Sequence, residues 1–254
     1  MHGHFGRLLA GMSLILPLTL AAQHAPAASL LPVAGGGRAQ LTPGKWLYSV
    51  QMRSGGTANQ LGHRTLEVVS SAYDGAPAWL VVDSRETRTF SLAESLYVAK
   101  SDLAPRHRIA HSAEDDVVAH YTRDSIVTTF AGQSGVKRVA LPNEPSLVAS
   151  LAFLEPLMQI EPLAEGWHAT APIVFVGPVE HGRTLLDLSV VGSDATLIPD
   201  GQFDAWVVSV KVGDSEEKLW VRKSDRVVIK QSVPVHGMPD ASLELVLTLH
   251  GVRS

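Results

Sequence analysis

Three histidines near the middle of the chain, His107, His111 and His120, are candidates for binding a metal ion. Imidazole and carboxylate groups are common ligands of Zn²⁺, and an acidic run at 114–116 lies between the last two histidines. Residues i and i+4 share one face of a strand, so His107 and His111 point the same way. However, no compact His-Glu-x-x-His spacing is present, and arginines flank His107. A hairpin with a solvated acidic turn explains the same residues, so we expect no metal and no cofactor.

Nucleophilic catalysis has weaker support in the sequence. A serine nucleophile requires a sharp turn such as Gly-x-Ser-x-Gly and a positioned histidine, and the Gly-Gln-Ser-Gly run at 132–135 is instead typical of an ordinary turn. The chain contains no cysteine, which excludes disulfides, thiolate metal sites and a cysteine nucleophile. We therefore expect no catalytic residues and no enzymatic activity. A hydrolase that uses His107 or His111 is the less favoured alternative.

Aromatic residues are the better candidates for a binding role. The candidate ligand-binding residues are Trp46, Tyr48, Trp206 and Trp220. The first three share strand faces with apolar neighbours and are most simply core residues. Trp220 instead shares its face with Lys218 and Arg222, while Leu219 and Val221 take the other face. This pattern is consistent with a cavity mouth or an exposed platform, or with an indole that lies beneath the two cationic side chains.

Composition limits the classes of partner. The 254 residues are 45% hydrophobic and 18% charged, which is enough to bury a core, and the net charge is only −4. Lysine and arginine are scattered, so no basic track for phosphate groups is present. We expect no nucleic acid as a partner.

The first 43 residues differ in character from the rest. Residues 1–27 have the order of a secretory signal: a short basic start, an apolar run at 8–22, and an Ala-Pro-Ala site that predicts cleavage near Ala27. An uncleaved N-terminal anchor is the alternative. Residues 28–43 contain three consecutive glycines and two prolines, which favour a linker. The expected location is the periplasm or the outside of the cell.

From residue 44 onward the dominant period is two, which predicts β-strands with one buried face. Trp46 and Tyr48 begin the first such run, and Leu243, Leu245 and Leu247 lie in the last. Roughly a dozen strands fit into a single domain at 44–254. So many strands predict a mainly β fold, with a large curved antiparallel sheet or half-barrel.

One segment interrupts the strands. Leu147, Leu151, Leu154 and Met158 recur at helical spacing, with Asn143 or Ser146 available as a cap and Pro145 in the first turn. Pro156 should end or kink the helix. The pattern predicts one main amphipathic helix packed on a face of the sheet.

Three stretches carry a resemblance to a known group of proteins: PGKWLYSVQMR at 43–53, SLYVAKSDLAPRHRIAHS with VVAHYTRDSIVTTFAG at 95–132, and DAWVVSVKV with EEKLWVRKSDRVVIKQ at 204–231. The chain resembles an uncharacterised family of exported bacterial proteins, a domain of unknown function. The resemblance implies a curved half-barrel similar to the lipoprotein carriers LolA and LolB. It implies no specific site residue.

Together these features favour a non-enzymatic periplasmic domain that binds or carries an apolar ligand, such as a lipid or acyl chain. The alternative is an envelope scaffold or sensor domain that binds another protein through a sheet edge or through the face that contains Trp220.

Overall fold

The computed structural model describes residues 29–30, 41–133, 135–144, 147–176, 181–235 and 237–249. The strands are β1 (Ser29–Leu30), β2 (Gly44–Ser54), β3 (Thr57–Tyr73), β4 (Ala76–Thr87), β5 (Ser91–Ala99), β6 (Pro105–Ser112), β7 (Asp115–Tyr121), β8 (Ser125–Gly132), β9 (Gly135–Pro142), β10 (His168–Val176), β11 (His181–Ile198), β12 (Gly201–Val212), β13 (Ser215–Arg222), β14 (Val228–Val235) and β15 (Met238–Leu249). The fold is mainly β, as the alternating sequence predicts.

All of these strands belong to one sheet, in the order β1-β10-β11-β12-β13-β14-β15-β2-β3-β4-β5-β6-β7-β8-β9. The fourteen strands β2 to β15 pair antiparallel with their neighbours, whereas the two-residue β1 pairs parallel with β10. Short turns connect most neighbours, and the last strand, β15, lies beside β2 in the middle of the sheet. The strands β9 and β10 are far apart in this order, so the sheet is not closed into a barrel by strand pairing.

The sheet is nevertheless strongly curved. Arg183 on β11 donates hydrogen bonds to the Pro142 carbonyl oxygen, at the end of β9, and to the Glu144 carboxylate. Because β9 and β11 belong to opposite margins of the sheet, this contact requires the two margins to approach each other. A sheet of this width must curl because each strand is twisted relative to the next.

Gly62 of β3 permits an irregularity in the pairing of β2, β3 and β4. The register of β2 against β3 shifts between Val50 and Gln51, opposite Gly62. A Cβ atom at Gly62 would lie 1.9 Å from the Glu86 carbonyl oxygen of β4, closer than any real contact. A side chain at this position would therefore push β4 away from the sheet.

The chain between β9 and β10 passes along the buried face of the sheet, and we call residues 147–163 the plug segment. Its apolar side chains form one cluster with those of the strands: Leu147, Val148, Ala149, Phe153, Leu154, Leu157, Met158 and Leu163. Val148 also forms an isolated parallel bridge with Ile173 of β10. The plug segment therefore covers the concave side of the sheet.

The predicted helix is present but much shorter than the leucine spacing indicated. It consists of a 3₁₀ turn (Leu151–Phe153) followed by α1 (Leu154–Met158). Ser150, not Asn143 or Ser146, caps the turn by accepting a hydrogen bond from the Ala152 amide at 3.1 Å. Pro156 lies in the first turn of α1, where the missing amide proton costs nothing. Helical spacing overstated the helix because nearly every side chain at 147–158 is buried, whichever way it points, and within this range only Leu151 is exposed, at 42%.

The predicted signal peptide at 1–27 and cleavage site near Ala27 lie outside the described residues. Of the predicted linker at 28–43, the described parts pack on the domain. Ser29 and Leu30 pair with β10, Leu41 is only 2% exposed, and the Thr42 amide donates to Gln159 Oε1 at 3.0 Å. Within the described part of the chain, no helix has the length and apolar character needed to cross a membrane.

Candidate ligand-binding site

The buried face of the sheet carries charged residues that join it to the plug segment. Arg64 on β3 and Asp83 on β4 are each 1% exposed, and Arg64 Nε donates to Asp83 Oδ1 at 2.7 Å. Arg64 Nη1 also donates to the carboxylate of Glu155 in α1, which is 6% exposed. Arg85 donates two further hydrogen bonds to Asp83. Each buried charge therefore has an oppositely charged partner, which is the condition for tolerating it.

Tyr48 is part of the same cluster. Its hydroxyl lies 2.9 Å from Glu155 Oε2 and 3.0 Å from the Val228 carbonyl oxygen. Burial and the neighbouring Glu155 carboxylate raise the pKa of Tyr48 well above its ordinary value. Burial opposes ionisation of Asp83, but the guanidinium groups of Arg64 and Arg85 outweigh it and hold the pKa of Asp83 below its ordinary value. These residues attach α1 to the sheet and leave no group available to a ligand.

Glu161, at the other end of the plug segment, has no such partners. It is 3% exposed, and neither carboxylate oxygen has a hydrogen-bond partner among the described residues. Burial raises the pKa of Glu161 to about 7. An isolated carboxyl group in an apolar environment favours its neutral form. Glu161 therefore carries a proton over much of the mildly acidic range.

A pocket of about 610 Å³ opens at one end of the sheet, and we call it the end pocket. The β3–β4 hairpin, the end of β5, and strands β6 and β7 contribute its walls. The lining residues are Tyr73, Asp74, Ala76, Pro77, Ala78, Ala99, Lys100, Ser101, Arg106 and Tyr121. The volume lies in the range of small-molecule sites, and small apolar side chains and two tyrosine rings form much of the surface.

Two cationic residues line the end pocket, and they differ in their contacts. Lys100 Nζ donates a hydrogen bond to Ser70 Oγ and lies 4.2 Å from the centre of the Trp79 ring. Arg106 makes no hydrogen bond or ion pair with any residue that the structure describes. Because a guanidinium group has five donors and stays charged, Arg106 is suited to bind a carboxylate, sulfonate or phosphate group.

The base of the end pocket adjoins a second buried ion pair. Arg108 Nη2 donates to Glu94 Oε2 at 3.0 Å, while Arg108 Nε and Glu94 Oε1 have no partner among the described residues. Burial raises the pKa of the neighbouring Tyr121 to about 12, so its phenol stays neutral. Tyr121 therefore offers a neutral hydroxyl to a ligand in the end pocket.

The three candidate metal-binding histidines are divided between two sites on the outer face. His107 and His120 are directly opposed on β6 and β7, with ring centres 4.4 Å apart, whereas His111 Nδ1 lies 2.8 Å from Asp116 Oδ1. Four residues along a strand span roughly 13 Å, which separates His111 from His107. Within the described residues, no group of three or more potential ligands is placed to hold a metal ion.

The four aromatic residues singled out in the sequence do not form one site. Trp46 and Tyr48 are buried in the core, and Trp206 and Trp220 are half-buried against it. Leu219 and Val221 take the buried face, as the alternation predicts, but the cation over Trp220 is Lys230 of β14, at 4.7 Å, not Lys218 or Arg222. A ligand-binding role for these four residues stays a prediction.

Arg106, Tyr73 and Tyr121 were missed as candidate site residues. The sequence around β6 does contain a signal, because strand alternation puts Arg106 and Arg108 on the face of buried Ala110 and opposite to His107. Two arginines on a buried face require either a carboxylate or a ligand. The sequence does not indicate that Arg108 pairs with Glu94, or that Arg106 has no partner among the described residues.

The fold and the end pocket define a class of protein: a single, open, strongly curved antiparallel sheet, with an internal plug segment and an apolar-walled pocket that contains a cation with no partner among the described residues. The family model for DUF3108, a protein family of unknown function, matches residues 47–246, and the chain belongs to this family. The predicted membership of a family of unknown function is thereby confirmed.

A solved structure supports the architecture. The chain is similar to a beta-barrel-like protein of the domain of unknown function DUF1849 from Brucella abortus, with a TM-score of 0.55 and 10% sequence identity. The likeness covers 85% of this chain and 100% of the other. At this identity it shows the fold alone. No curated protein matches the chain.

Proposed function

We propose that this protein is an exported, non-enzymatic binding domain that holds an amphiphilic ligand in the end pocket. The ligand class combines an apolar body, such as an acyl chain, with an anionic group. The observation that carries the proposal is the unpaired Arg106 in a pocket with largely apolar walls. Binding sites of this kind commonly combine an apolar lining with a few polar groups that fix orientation.

The position of the pocket refines the expectation drawn from the sequence. A carrier of the LolA type shelters an acyl chain beneath the curved sheet, but here the plug segment covers that face and is joined to it by Arg64 and Glu155. The end pocket lies outside this cluster and is open without any movement of the plug segment. An acyl chain can therefore enter it without rearrangement of the plug segment.

The test is a fluorescence titration of the purified, delipidated full chain with a dansyl-labelled fatty acid. We expect saturable binding at micromolar concentrations, and we expect Arg106→Gln to weaken it about tenfold, because one charge-assisted contact is lost. Ala76→Trp, at an exposed position in the pocket wall, should abolish binding by filling the entrance.

Two matched variants control for nonspecific effects. Arg88→Gln removes an exposed arginine outside the pocket, and Ala93→Trp places the same bulky side chain in a second groove, of about 410 Å³, that shares no lining residue with the end pocket. Both should bind like the wild type. If the wild type takes up no probe, or if Ala93→Trp impairs binding as much as Ala76→Trp, the proposal is wrong. The protein-binding alternative would then become the better hypothesis, with the uncovered edge of β9 as its first surface to test.

A further inference from the structure

Four rings on the outer face form a continuous set that ends at the pocket, and we call it the aromatic stack: Tyr73, Tyr97, His107 and His120. The rings of Tyr73 and His107 are stacked, with centres 5.4 Å apart and planes 19° apart. His107 contacts His120 on its other side, with ring centres at 4.4 Å. Tyr73 also lines the end pocket, so the stack connects His107 to the pocket wall.

The groups that face His107 come from every element packed against it. They are Tyr97 from β5, His120 from β7, and Tyr73 with Asp74 from the β3–β4 hairpin. Burial and the proximity of His120 lower the pKa of His107, and a hydrogen bond with the Ala119 backbone and the attraction of Asp74 oppose this only in part. His107 is therefore neutral at neutral pH and gains its charge only below its ordinary value of about 6.5.

Asp74 couples the protonation of His107 to ligand binding in the end pocket. Its carboxylate lines the end pocket together with Arg106, and a negative charge there repels an anionic ligand. A charged His107 would attract Asp74, offset its negative charge, and add positive potential beside the pocket. Both effects favour an anion.

We propose that the aromatic stack regulates the end pocket, and that protonation of His107 under mildly acidic conditions strengthens the binding of an anionic amphiphile. This inference rests on the proposed function and assigns a regulatory group to the same site. Binding and protonation are reciprocally linked, so the ligand would also favour the protonated stack.

The experiment uses a probe whose own charge is constant, a dansyl-labelled alkyl sulfonate, titrated into the full chain at about pH 7.5 and about pH 5.5. We expect binding about fivefold tighter at the lower pH, as for one added charge near the ligand. His107→Gln should retain the affinity measured at pH 7.5 and lose the increase at pH 5.5.

A second variant keeps the test independent of any packing defect at His107. Asp74→Asn lies in an exposed turn with a φ of 50°, a conformation that asparagine tolerates well. We expect it to bind more tightly than wild type at pH 7.5 and to respond less to acid. His63→Gln and His111→Gln, which alter histidines outside the stack, should retain the full pH response.

The outcomes distinguish the two proposals. Absence of probe binding at both pH values would overturn the proposed function and the inference with it. Binding that is equally tight at both pH values, or a pH response that persists unchanged in His107→Gln, would overturn only the inference.

Discussion

The plug segment and the end pocket each adjoin an arginine of the sheet, and the two arginines differ in how their charge is compensated. Arg64 contacts Asp83 and Glu155 and is 1% exposed, whereas Arg106 lines an open pocket and has no partner in the described part of the chain. Removing a charge from water is costly unless another charge compensates it. Arg64 therefore stabilises the fold, and Arg106 is available to a ligand.

A second contrast lies within the plug segment itself. Glu155 and Glu161 are both buried, yet Glu155 accepts hydrogen bonds from Arg64 and Tyr48, while Glu161 accepts none from the described residues. Partners keep a buried carboxylate ionised, and isolation favours the protonated form. One end of the segment is thus held by charge pairing, and the other end is sensitive to pH.

The largest expected effect is at Arg64. Arg64→Met would leave Glu155 buried without its cation, so we expect a loss of about 3–5 kcal/mol in the free energy of unfolding. Urea denaturation at neutral pH measures it, with Arg88→Met as the control at an exposed arginine. A loss below about 1 kcal/mol would mean that apolar packing alone holds the plug segment on the sheet.

A smaller, pH-dependent effect is expected at Glu161. Its pKa in the folded protein, about 7, is above the ordinary value of 4.5, so its contribution to stability is fully present below about pH 4.5. That contribution is lost as the pH rises through 7. We therefore expect the free energy of unfolding of Glu161→Gln to exceed that of the wild type by about 2–3 kcal/mol at about pH 8 and to match it near pH 4.

Glu165→Gln, at an exposed position four residues later, is the matched control for that experiment. Denaturation curves across this pH range should superimpose for the control and the wild type. If Glu161→Gln also follows the wild-type curve, the Glu161 carboxyl group is not isolated from partners and solvent in the folded protein, and the prediction is wrong.

The smallest expected change in stability is at Arg106. Because this side chain has no partner to lose, Arg106→Gln should alter the free energy of unfolding by no more than about 0.5 kcal/mol. Thermal and urea denaturation check this. A loss as large as that of Arg64→Met would show that Arg106 supports the fold, and the contrast between the two arginines would fail.

The fold was largely predictable because its main signal is local. Alternation alone put Trp46 and Tyr48 on a buried face, and both are buried in the structure. The helix was overestimated since leucines at helical spacing also suit a mostly irregular segment buried on several sides.

The candidate site was much less predictable, because its residues are brought together from strands that are distant in sequence. Tyr73, Arg106 and Tyr121 belong to β3, β6 and β7, and no motif connects them. Each is an ordinary strand residue by composition. Pairing of the consecutive strands β3 to β7 brings them to the same end of the sheet.

The sequence by itself determined the class of fold, since the period of two and the turn residues act over a few positions and need no distant partner. The tertiary structure decided which charges are satisfied. Arg64 pairs with Glu155 across 91 positions of chain, and Arg106 has no partner among the residues that the structure describes. Pairing of buried charges depends on three-dimensional distance and desolvation, which one-dimensional spacing does not encode.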